Sequence, residues 1–171
     1  TTANVERIEV IKGPAPAIGA GGQAAGALGV MGGAIAIITK VVDFQARREV
    51  GLRLGTRAER GLHFDVNQPL SDALAVRLIG EVQHNGSESD RVFFRRTSLF
   101  PSATLKTGAG ELQVRLRSSR LATLDYSGLP PEGTVLPAAW TLPRSLNTTA
   151  AGQPDSTSAV DGFNVQWKQR L

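Results

Sequence analysis

The sequence predicts an all-β protein, a stretch of a transmembrane antiparallel β-barrel together with part of a plug domain of mixed α/β character. Two observations predict it. Residues 4–40 join two strand-like runs through a Gly/Ala-rich segment that carries no charge from Ala17 to Thr39. From Glu49 onward the chain becomes a series of short stretches in which apolar and polar residues alternate with period two, the pattern of a strand with one apolar and one polar face.

The first element is Val5-Glu6-Arg7-Ile8-Glu9-Val10-Ile11, with Val5, Ile8, Val10 and Ile11 supplying apolar bulk and Gly13-Pro14 ending the run. Ala34 to Thr39, rich in isoleucine, is the second strand. Three readings of the segment between them stand. It is long enough for a membrane helix and carries Gly22-x-x-x-Gly26 and Gly29-x-x-x-Gly33, but Gly and Ala give it little hydrophobic drive. Gly19-x-Gly21-x-x-Ala24 followed by Asp43 imitates a dinucleotide-binding turn. There Gly13-Pro14-Ala15-Pro16 separates the glycines from the strand they should follow directly. In the third reading the glycines make tight turns and close backbone approaches in a compact β-rich plug.

The alternating strands follow in order. Val50, Leu52 and Leu54 lead. Then come Leu62, Phe64 and Val66; Leu74, Val76, Leu78 and Val82; Leu99, Ala103 and Leu105; Leu112, Val114 and Leu116; and Phe163, Val165 and Trp167. A soluble sheet with one wet face has the same alternation, so the connections matter. Gln68–Ala73 and Thr107–Gly110 are short, whereas His84–Arg96 and Leu121–Asp161 are long, the two-ended asymmetry of an outer-membrane barrel. A soluble β-sheet binding module therefore remains the alternative, with a nucleotide-binding oxidoreductase behind it.

Composition narrows the function. The chain has 171 residues, 19 Lys plus Arg against 15 Asp plus Glu, and no cysteine, so thiol and disulfide chemistry are absent. Its arginines are scattered rather than gathered into one stripe and aromatics are 5% of residues, which argues against nucleic acid as a partner. His63 and His84 stand apart with no metal-ligand spacing, and no nucleophile-elbow pattern occurs, so no enzymatic site, metal site or cofactor is expected. The chain starts at Thr1 without a secretory signal and stops at Leu171 within an alternating stretch, so an internal fragment is expected.

Two pairs of motifs sharpen this. Val5-Glu6-Arg7-Ile8-Glu9-Val10-Ile11-Lys12-Gly13-Pro14 and Gly32-Gly33-Ala34-Ile35-Ala36-Ile37-Ile38-Thr39-Lys40 strongly resemble the plug of the TonB-dependent outer-membrane receptors. Ala36 stands where that family usually has Asn, the intervening loop is longer, and Ile18-Gly19 replaces an aromatic-Gly pair. In the second half, Asp65-Val66-Asn67-Gln68-Pro69-Leu70-Ser71-Asp72 is similar to the family's first strand-turn-strand motif. Asp125-Tyr126-Ser127-Gly128-Leu129-Pro130-Pro131-Glu132-Gly133-Thr134-Val135-Leu136-Pro137 resembles an external-loop motif of its ferric-siderophore members.

The resemblance implies that residues 1–43 are the end of the plug and 44–171 the first six or so strands of a barrel of about 22. It implies an outer-membrane receptor that imports a ferric siderophore without covalent chemistry, using energy delivered by TonB with ExbB-ExbD, among outer-membrane lipid and lipopolysaccharide. Candidate ligand contacts are Gln23, the one polar side chain of the plug loop, and Tyr126 and Trp140, whose rings equally suit an interfacial aromatic belt. Glu6, Arg7, Glu9 and Lys12 are candidates for plug charges that pair with the barrel wall and release on pulling. Phe93, Phe94, Phe100 and Trp167 read as belt or lipid-facing residues. Arg91, Arg95 and Arg96 would attract an anionic chelate, bind lipopolysaccharide phosphates, or form a solvated loop.

Overall fold

The computed structural model describes residues 2–12, 33–124, 126, 128–150 and 152–169. Among them are eight strands and no helix: β1 (Val5–Lys12), β2 (Gly33–Thr39), β3 (Arg47–Leu54), β4 (Arg60–Pro69), β5 (Leu74–Gly86), β6 (Phe93–Thr107), β7 (Gly110–Thr123) and β8 (Ser156–Gln169). They fall into two compact units, Thr1–Val41 and Val42–Leu171.

In the first unit β1 and β2 form an antiparallel pair whose register slips between Val5 and Arg7. Ile8 opposes Ile37 and Val10 opposes Ile35, so these four share one face. Arg7 and Glu9 take the other face, and Lys12 returns to the isoleucine side. The bend at Val5 is closed by its N–H donating to the Thr2 carbonyl at 2.9 Å, and the Lys40 N–H donates to the Asn4 carbonyl at 3.0 Å. Among its described residues this unit holds strand and turn but no helix; Gln23 and the fingerprint-like Gly19, Gly21 and Ala24 lie outside the described residues.

The second unit is one six-stranded antiparallel meander in the order β3-β4-β5-β6-β7-β8. Its turns are unequal. Residues 70–73 and 108–109 connect strands at one end, and residues 55–59, 87–92 and 124–155 connect them at the other. The motif around Pro69 explains its own turn. Leu70 and Ser71 N–H groups donate to the Leu74 carbonyl at 2.8 and 3.0 Å, and Ser71 Oγ accepts from the Ala73 and Leu74 amides. The connection expected over His84–Arg96 is shorter than its polar residues suggested. Asn85 pairs with Phe94 and Gly86 with Phe93, so both strands run on through the polar stretch.

Candidate functional site

Register assigns each side chain of the sheet to one of two faces. The apolar face carries Val50, Leu52 and Leu54 of β3, Leu62, Phe64 and Val66 of β4, and Val76, Leu78 and Val82 of β5. It continues through Leu99, Ala103 and Leu105 of β6, Leu112, Val114 and Leu116 of β7, and Phe163, Val165 and Trp167 of β8. This face is the exposed one: Leu52 is 77% accessible, Leu54 84% and Phe163 81%. The polar face is the buried one. Asp65, Asn67, Arg77, Ser98, Thr104 and Gln113 are each buried on it, together with Ala75, Ile79 and Phe100. A soluble sheet hides its apolar face and wets its polar one. Here the order is reversed, and the exposed apolar belt crosses all six strands, far beyond the patches water tolerates.

The belt is also oblique. Directly opposed residues form rows perpendicular to the strands. The row Val50–Phe64–Gly80–Leu99–Ser118–Asp161 begins at the first apolar residue of β3 and reaches β8 at an acid. The matching apolar residue of β8 is Trp167, six positions further along. At ~3.4 Å per residue and ~4.8 Å per strand, six residues over five spacings place the belt at ~40° to the rows. That is the tilt of strands, roughly 35–45°, in barrels whose belt must lie flat in a bilayer.

The polar face is tied together from within. Arg77 Nε and Nη2 donate to the two Asp65 carboxylate oxygens at 2.8 and 2.7 Å, a bidentate fork with both side chains under a tenth exposed. Asn67, fully buried, donates to the Asp43 and Gln45 carbonyls at 2.9 and 2.7 Å and to the Asp43 carboxylate at 2.8 Å. The Asp43 amide donates back to its side-chain oxygen at 3.3 Å. Phe44 is held by Lys106 Nζ, 3.5 Å above its ring. Sequence reasoning recognised Asp65 and Asn67 as motif residues and missed what they do. The available signal was polarity at alternate positions on both arms of one hairpin. His63, on the same face, lies 3.3 Å from Glu49 Oε1.

Phe94 and Phe100 correct the lipid-facing expectation. Their positions in β6 are even, opposite in parity to Leu99 and Leu105, so both lie on the polar face, with Phe100 opposed to Ile79. Phe93 and Trp167 do lie on the apolar side. The three arginines also separate. Arg95 shares the apolar face, Arg96 sits on the polar face over the Phe94 ring at 4.7 Å, and Arg91 donates to the Thr149 and Ala150 carbonyls.

The long 124–155 connection is itself built. Gly128 and Gly133 take φ of +87° and +75°, a region that glycine enters without a Cβ clash. Between them Pro131 O accepts from the Val135 and Leu136 amides, and Thr134 Oγ1 donates to Pro130 O at 2.6 Å. Trp140 packs its ring against Gly133, where a Cβ would collide with it, and keeps 48% of its surface exposed. Tyr126 is half-buried and spends its hydroxyl on the Leu146 carbonyl at 2.9 Å. Asn147 Nδ2 donates to Asp90 O, and the Asp90 amide donates to Ser145 O, both at 2.7 Å. The two long-loop segments are thereby sewn together, with Tyr126 and Trp140 on the same connection. In the β1–β2 unit, Arg7 Nε donates to Glu9 at 2.7 Å; that hydrogen bond, then the Glu9 charge, raises the guanidinium pKa above its ordinary value. Among the described residues no group of His, Cys, Asp and Glu could hold a metal ion, and no helix is long and apolar enough to cross a membrane.

No family model matches the chain. The ferrioxamine B receptor of Salmonella typhimurium strain SL1344 is 32% identical over 142 residues, covering 78% of this chain and 18% of that receptor. The open form of the ferric-catecholate import receptor Fiu from E. coli K12 superposes over 99% of this chain and 27% of its own, with a TM-score of 0.80 at 22% identity. The ferripyoverdine receptor of the outer membrane of Pseudomonas aeruginosa superposes over 96% of this chain and 22% of its own, with a TM-score of 0.72 at 19% identity. The chain belongs to the TonB-dependent outer-membrane receptors. It spans about a fifth of the length of the curated relative it matches. The exposed apolar belt and the buried polar face match the two sides of a plugged barrel's wall, and β3 and β8 are the edge strands of the six-stranded sheet.

Proposed function

We propose that the whole protein lies in the bacterial outer membrane as a plugged β-barrel. There it binds a ferric siderophore on the long-loop side and imports it with energy delivered through TonB and ExbB-ExbD. The observation that carries this reading is the reversed sheet: a tilted apolar belt exposed on one face and ion pairs buried on the other. The relatives' names support the cargo class, and ferrioxamine B is the siderophore to test first. Import of an intact chelate asks for positioning and gating rather than bond making, so no catalytic residue or resident cofactor is assigned.

Tyr126 and Trp140, held on the stitched external connection, are proposed as aromatic contacts for the chelate, and Gln23 as a polar contact from the plug. Trp140 is the better placed of the two aromatics, since about half of its surface is open while the Tyr126 hydroxyl is already engaged. Glu6, Arg7, Glu9 and Lys12 are proposed as plug-side charges of a release latch; charge removal should stop uptake and paired reversal on the wall should restore it.

The decisive experiment is uptake of radioactive iron as ferrioxamine B by iron-starved cells lacking this receptor and carrying it on a plasmid. TonB-dependent uptake supports the proposal. Uptake that persists without TonB, or a protein recovered entirely in the soluble fraction, overturns it.

A further inference from the structure

We propose that Asn67 is a force-bearing anchor: it clamps residues 43–47 to the sheet, so that a pull on the plug ends at Asp43 and does not peel β3 from β4. The inference rests on the plugged-barrel reading above. The first compact unit ends at Val41 and the clamp begins two residues later. Tension carried along the chain out of that unit therefore meets Asp43 before it meets any rung of the six-stranded sheet. The first rung is Arg47 opposite Asn67.

The clamp is a network centred on one side chain. Asn67 Nδ2 shares its two hydrogens among three acceptors: the Asp43 carbonyl at 2.9 Å, the Asp43 carboxylate at 2.8 Å and the Gln45 carbonyl at 2.7 Å. Asn67 Oδ1 accepts from the Asp43 amide at 3.3 Å. The same carboxylate accepts from the Gln45 amide at 2.9 Å and pairs with Arg47 at 2.8 Å, which closes 43–47 on itself. Phe44 ties the segment to a further strand. Lys106 of β6 lies 3.5 Å above its ring, and the residue lines a groove with Pro69 at the end of β4 and Leu70 in the turn after it. Asn67 has no exposed surface, so water cannot take over its bonds one at a time as they stretch. A pull on the Arg47 end of a bare antiparallel ladder loads the first rung alone and opens the pair rung by rung. A pull on Asp43 loads the Asn67 bonds and the Lys106–Phe44 contact together, so they share the load.

The test is single-molecule pulling on the full-length receptor in a lipid bilayer, from a handle on the N-terminal side of the plug. In the parent, the chain released with the plug should stop at Asp43. In Asn67→Leu it should run on through β3 to Leu54, adding about 40 Å of contour for residues 44–54 at ~3.6 Å each. Phe44→Ala leaves β4 intact and should add the same length, so it decides the matter if N67L does not fold. Gln68→Ala is the control. It removes the Arg48–Gln68 hydrogen bond at 3.0 Å, a β3–β4 link on the opposite face, and should leave the release at Asp43. Release that stops at Asp43 in every folded clamp variant overturns the anchor. So does release of β3 in the parent, or an equal added length in Q68A. Heat-dependent gel mobility of the same preparations reports whether the barrel is present, so failure of the barrel reading is distinguished from failure of the anchor.

Discussion

The Asp65–Arg77 pair offers a sharp test of the polar face, because geometry and burial can be separated. Two ion pairs in the sheet share the same fork: Asp65–Arg77 at 2.8 and 2.7 Å, and Asp161–Arg120 at 2.8 and 2.8 Å. Their side chains differ in exposure, 6–8% for the first and 54–59% for the second. Removing one partner of a buried pair strands a desolvated charge and costs about 3–5 kcal/mol, whereas replacing both partners by apolar groups of similar volume is close to neutral. Arg77→Met should therefore lower the folding equilibrium by roughly two to three and a half orders of magnitude at ~1.4 kcal/mol per decade. Asp65→Leu should do likewise, and the double variant should recover most of the loss. Asp161→Asn should barely move the transition, since water replaces its partner. The assay is urea titration of the full-length receptor in lipid vesicles, read by gel mobility. A loss under about 1 kcal/mol in R77M, or strictly additive single and double variants, would refute the claim that this face is dry and coupled.

Other consequences follow from individual contacts. Val165→Arg puts a charge on the apolar belt and should destabilise the membrane-inserted receptor by about 2–4 kcal/mol, while Gln166→Arg, one residue on, should change it by less than about 0.5 kcal/mol; the same urea titration reads both. Asn67→Leu removes the hydrogen bonds that hold Asp43 and Gln45 to β4. It should cost about 1–3 kcal/mol and speed hydrogen exchange selectively at residues 43–47. Gly133→Ala forces a Cβ into the Trp140 ring at a φ of +75°. The strain of about 1–2 kcal/mol should open the 124–155 connection to protease and red-shift Trp140 emission while the barrel transition stays put.

Much of the architecture was legible in the sequence, since alternation is a local property of extended backbone. Once Leu99 and Leu105 are placed on the apolar side, parity alone sends Phe100 to the other. The sequence reading misassigned Phe94 and Phe100 by weighing aromatic character above position. Turn chemistry at Pro69-Leu70-Ser71 and the long-loop asymmetry were equally local, and they predicted a meander of six strands that the structure contains. Strand ends were less legible, because His84–Gly86 and Phe93–Arg96 continue as paired strand where neither face is uniformly apolar.

What the sequence by itself determined is therefore which residues share a strand and which face each one takes. Only the tertiary structure decided which strands' residues stand side by side. The row Arg60–His84–Arg95, the fork between Asp65 and Arg77, the clamp from Asn67 to Asp43 and the ~40° slant of the belt all depend on register. Register is set by turn closure and by burial of a whole face together, and a slip of one residue would reverse every side chain of a strand. The direction of the sheet's faces was decided the same way. Alternation fits water or lipid equally, and it is the exposure of Leu52, Leu54 and Phe163 against the burial of Asp65, Asn67 and Arg77 that makes the apolar side the outward one.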